Sequence, residues 1–154
     1  MSQAQARVLF RYTPALMVAA AVGLFALAAY AQTPKAPALG AHLTGAAEKP
    51  KPGDPDGAGH ATVRIDAAQS QVCYELSVEK IAPATAAHIH KGGPDAAGPP
   101  VVPLTAPGAD GKSKGCATAD AAVAKDIQQN PGGYYVNVHN AEFPAGAVRG
   151  QLTR

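Results

Sequence analysis

Two short runs of strict alternation, four residues apart, constrain this chain more than any other feature. In His60–Asp66, residues Ala61, Val63 and Ile65 take one face, and His60, Thr62 and Arg64 take the other. In Gln71–Val78, residues Val72, Tyr74, Leu76 and Val78 oppose Cys73, Glu75 and Ser77. A period of two suits a strand with one buried face, and Ala67–Ser70 is short enough to join the two runs as a hairpin. A helical period would scatter the same apolar residues around the axis.

The rest of the chain follows the same grammar of short apolar runs broken by Gly and Pro. Ala38–Thr44 reads as a first strand. Lys49–Gly59 reads as a long loop, because Pro lacks an amide donor and Gly frees the backbone. Further strands are expected at Thr85–His90, at Val101–Leu104 and around Cys116, with a Gly/Pro turn at Lys91–Pro100. Thr118–Gln129 is the one helix expected, capped by Thr118 and stopped by Asn130-Pro131-Gly132-Gly133. Tyr134–Asn140 and Ala147–Thr153 form a second hairpin. The reading is an all-β fold with one short helix, an antiparallel Greek-key-like sandwich or barrel.

The amino end sets the compartment. Arg7 and Arg11 precede an uncharged apolar stretch from Ala15 to Ala29, and Ala29-Tyr30-Ala31 matches a small-x-small cleavage site. Residues 1–31 therefore read as a signal peptide, residues 32–39 as a flexible mature start, and residues 40–154 as one β domain. The apolar stretch is shorter than the roughly 20 residues of a spanning helix, so no membrane span is expected after cleavage. The leader carries two of the 13 basic side chains and none of the 11 acidic ones, so the mature protein is balanced in charge. No Lys/Arg cluster remains to track nucleic acid. A periplasmic or secreted location is expected. In an oxidising compartment, Cys73 and Cys116 read as a disulfide, with thiolate metal ligation as the alternative.

Five histidines are the main chemical resource of the chain. His88 and His90 are two apart on an expected strand, so their rings leave the same face about 7 Å apart at the backbone, for a rise of about 3.3 Å per residue. His139 leaves its strand on the face opposite Val136 and Val138, together with Tyr135 and Asn137. If these strands are neighbours, three imidazoles gather, leaving an open coordination position of the kind found at reactive or exchangeable sites. Such ligands suit copper, and zinc less strongly. His60 is a candidate fourth ligand and His42 a weaker one. Asn137 or a loop carbonyl would fix ring orientation, with Arg149 alongside.

The same residues also permit a metal-free reading, in which the rings meet water or bind loop backbone. No GxSxG, HExxH or phosphate-cradling glycine loop is present. Asp54, Asp56 and Asp95 lack calcium-loop spacing, and Glu75 and Glu79 read as a solvated face.

The segments Ala87-His88-Ile89-His90-Lys91-Gly92, Gly98–Leu104, Tyr135–Asn140 and Pro144–Leu152 resemble, in that order, the chordin-type (CHRD) domain. Leu43-Thr44-Gly45 with Glu48, and Gly57–Asp66, resemble its opening hairpin. The resemblance spans residues 40–153 and implies a secreted β-sandwich or barrel whose recurrent histidines fall on His88, His90 and His139. Ala147 stands where the family usually carries an acid, and Asn140 where it commonly has Thr, so a carboxylate partner for Arg149 does not carry over. Two functions follow as expectations. One is an exported copper-binding domain acting in metal carriage or sequestration. The other is a metal-independent module binding an envelope or extracellular protein. An enzyme is the weaker expectation: only an architectural likeness to copper/zinc superoxide dismutase points to redox chemistry, and fold does not carry function.

Overall fold

The computed structural model describes residues 37–154. The expected signal peptide, its cleavage site and most of the expected flexible start lie outside the described residues.

Eight strands form one antiparallel sheet: β1 (Leu39–Thr44), β2 (Ala58–Asp66), β3 (Gln71–Glu79), β4 (Ala84–Lys91), β5 (Pro100–Leu104), β6 (Lys112–Thr118), β7 (Tyr134–Asn140) and β8 (Val148–Gln151). Their order across the sheet is β5-β4-β7-β8-β1-β2-β3-β6. The sheet curls so that its edge strands, β5 and β6, approach each other without pairing. The result is a nearly closed barrel, which shields sheet edges from stray pairing. At that seam the Thr105 amide donates to the Tyr74 hydroxyl at 2.7 Å.

The alternating runs face as their pattern requires. Ala61, Val63 and Ile65 of β2, and Val72, Tyr74 and Leu76 of β3, are buried in one core with Leu39, Leu43, Ile89, Val102, Val136, Val138 and Leu152. β2 and β3 pair from Ala58↔Glu79 to Asp66↔Gln71, which fixes the expected hairpin. β7 and β8 form the second one. Cys73 and Cys116 face each other across β3 and β6 and are joined by a disulfide.

Two local expectations are corrected. The helix, α1, spans Ala121–Gln129 and is capped by Asp120, which accepts from the amides of Ala122 and Val123 at 2.8 and 3.3 Å. Thr118 is instead the last residue of β6, paired with Gln71, so a ladder partner outweighs its capping tendency. The Lys49–Gly59 loop also ends early, because Ala58 and Gly59 already pair with β1 and β3. Ala124 and Ile127 of α1 join the core, and the helix lies against β2.

A three-histidine candidate metal centre

β4 and β7 are neighbours, in the register Ala86↔His139, His88↔Asn137 and His90↔Tyr135. β8 continues two of these rows, with Asn137↔Arg149 and Tyr135↔Gln151. The side of β7 turned away from Val136 and Val138 therefore carries a block of polar and aromatic side chains.

That face is not left to water. Loop 92–99 folds back over it, and the polar face is built to hold the loop. Arg149 donates to the carbonyls of Gly93 and Ala96 at 2.7 and 2.9 Å. Gln151 donates to Gly92 at 2.7 Å, and the Gly98 amide donates to the Tyr135 hydroxyl at 3.0 Å. Arg149 is fully buried, with its guanidinium carbon 3.4 Å from the centre of the Tyr135 ring. Gly98 is needed where it stands, because a Cβ there would meet the Lys91 carbonyl group.

Three imidazoles lie at the end of this face. His88, His90 and His139 each offer a nitrogen, all within 4.8 Å of one another. His90 is buried, and the other two are half-buried. His90 also stacks on Tyr135, with ring centres 4.9 Å apart.

Hydrogen bonding sets the tautomers. His90 Nδ1 lies 2.8 Å from the Gly98 carbonyl, and His139 Nδ1 lies 3.0 Å from the Pro144 carbonyl. A carbonyl only accepts, so both Nδ1 atoms carry the proton and both neutral rings keep a lone pair on Nε2. His90 Nε2 is buried and has no hydrogen-bond partner among the described residues. His88 Nδ1 lies 3.1 Å from His139 Nε2, which can only accept, so His88 donates there.

This arrangement suits a metal. Backbone carbonyls holding Nδ1–H while Nε2 faces the ion is a recurring way of orienting histidine ligands. Two nitrogens about 3.1 Å apart, each about 2.05 Å from one ion, subtend about 100° there, between the tetragonal and tetrahedral angles. An ion would take the place of the proton between His88 and His139, with His90 Nε2 as third donor.

The electrostatics agree. Burial holds all three imidazoles below their ordinary pKa of 6.5. His139 and His90 add repulsion at His88, and His139 and Arg149 add it at His90. The Gly98 and Pro144 carbonyls oppose the shift at His90 and His139, and the nearby Asn137 side chain opposes it more weakly at His90. Neutral imidazole is the form that binds metal.

The other expected residues take different places. His60 is not part of this centre: it lies exposed on β2, directly across from His42 on β1. Two loop carbonyls, Gly98 and Pro144, hold ring orientation. Asn137 sits buried across from His88, and Arg149 acts on the covering loop. Glu48 was not foreseen here. It is buried, and desolvation raises its pKa to about 7, against the pull of Arg149 and Asn137. Its carboxylate lies against Gly146, which adopts φ +150°, so the turn before β8 leaves room for it. A Glu four residues beyond the end of a strand gives no sequence signal of burial.

No helix among the described residues is long and apolar enough to cross a membrane. No curated protein and no solved structure matches the chain. The CHRD domain family model matches residues 39–152, from the first strand to the end of the last. By that match the chain belongs to the CHRD domain family.

Proposed function

We propose that this protein is exported and holds a copper ion through His88, His90 and His139, serving metal carriage or sequestration. One observation carries the reading. The three imidazoles converge with two tautomers already set, leaving His90 Nε2 buried without a hydrogen-bond partner among the described residues. A buried lone pair with nothing to accept is costly in a metal-free role and is used directly when an ion binds. Copper is favoured over zinc because divalent copper binds nitrogen sites more tightly. Three protein ligands leave a position for water or an acceptor, which suits transfer better than permanent storage. The disulfide and the leader-like amino end support work outside the cytoplasm.

Titration of the protein with Cu2+ and Zn2+ tests this. Copper is expected to bind more tightly than zinc, and to bind the wild-type protein more tightly than a variant with all three histidines changed to Ala. Equal binding by the two proteins would remove the proposal.

A further inference from the structure

His42 and His60 stand apart from the centre described above. They are directly opposite each other in the β1–β2 ladder, and both are exposed. β8 lies between this strand pair and the β4–β7 pair, so the two histidine groups occupy separate stretches of the barrel wall. The His42 and His60 ring centres are 5.1 Å apart, the same separation as His88 and His139.

That distance has a coordination meaning. An ion about 2.05 Å from an imidazole nitrogen lies about 3.2 Å from the ring centre, so rings 5.1 Å apart correspond to an angle of about 105° at a shared ion. The backbone side of the chelate is fixed. β1 and β2 pair without interruption from Leu39↔Val63 to Thr44↔Ala58, so both Cβ atoms are held by the ladder and only ring rotation remains. The pair borders a surface depression of about 530 Å³ that also reaches Ser77, Glu79, Asp110 and Lys112, which leaves space beside the rings.

We propose that His42 and His60 form a second, exposed metal site. It takes a borderline divalent ion, such as Cu2+ or Ni2+, that still carries water or a small chelating ligand. Two imidazoles fill only part of the ion's coordination sphere, so the site captures an ion already held by a small molecule and exchanges it readily. It does not depend on metal binding at His88, His90 and His139.

The probe is Cu2+–iminodiacetate, which leaves positions for two imidazoles. The protein has five histidines, so the His88→Ala/His90→Ala/His139→Ala variant keeps only this pair. That variant is expected to bind one equivalent, on the order of a hundredfold more tightly than the same variant also carrying His42→Ala, because the second imidazole binds intramolecularly. If the triple variant does not fold, the wild-type background serves instead, where either His42→Ala or His60→Ala should remove one equivalent of the probe. Equal affinity with and without His42, or wild-type stoichiometry unchanged by both single substitutions, would overturn the proposal. Loss of an equivalent with His42→Ala in a protein whose three-histidine centre binds nothing would leave this site standing and remove the other.

Discussion

Gly98→Ala tests whether loop 92–99 organises the three-histidine centre. A Cβ at this position would enter the space of the Lys91 carbonyl at the end of β4, so the loop must move. Movement separates the Gly98 carbonyl from His90 Nδ1, now 2.8 Å away, and the Gly98 amide from the Tyr135 hydroxyl, now 3.0 Å away. Loss of a hydrogen bond that orients a ligand typically lowers metal affinity about 10–100-fold, or about 1.4–2.7 kcal/mol. The displaced loop costs a further 1–2 kcal/mol or so of metal-free stability, a fall in Tm of roughly 4–8 °C for a domain of this size. The matched control is Gly93→Ala in the same loop, where a Cβ meets nothing within 4 Å among the described residues. Competition against a chromophoric copper chelator measures affinity, and calorimetry of the metal-free protein measures Tm. Equal copper affinity of Gly98→Ala and Gly93→Ala, with only Gly98→Ala melting early, would show that the loop does not organise the centre.

Reduction of the Cys73–Cys116 disulfide releases a 43-residue loop and should cost about 4 kcal/mol by chain entropy, read as a lower urea midpoint in reductant. Ile127→Ala should cost about 2–5 kcal/mol in the same assay, because the side chain is fully buried between α1 and the barrel. In NMR titration of the metal-free protein, His88, His90 and His139 should all titrate below 6.5. Their depressed pKa values give stability that is fully present above 6.5 and lost as pH falls through it, because the unfolded chain takes up protons first. Glu48 has the opposite sign: its raised value gives stability present below 4.5 and lost as pH rises through about 7. Glu48→Gln should therefore make stability climb more steeply between pH 5 and 7.5 than in the wild type, measured by urea unfolding at each pH.

The barrel strands were legible because their signal is local. Ala61, Val63 and Ile65 face inward whatever strand they pair with, and the four-residue turn to Val72 leaves little choice of partner. The His88–His90 pair was legible for the same reason. Bringing in His139 depended on which strands become neighbours, and alternation says nothing about that; here β4 lies beside β7 across a long stretch of intervening chain, residues 92–133. The same limit explains His60. Its face was read correctly, but its partner is His42, because β2 pairs with β1 and is two strands removed from β7. Burial of Arg149 and Glu48 was hidden because it is created by loops: residues 92–99 cover the first, and the turn at Gly146 encloses the second. Asp120 replaced Thr118 as the helix cap for a related reason, since β6 claimed Thr118 through a pairing that no local pattern announces.

The most direct measurement is pulsed EPR on the His42→Ala/His60→Ala variant loaded with one equivalent of Cu2+, which confines the ion to the centre between β4 and β7. Modulation from the remote nitrogens of three imidazoles is expected, falling to two when His139 is also removed. A spectrum with fewer than three coordinated imidazoles, or one unchanged by loss of His139, would contradict it.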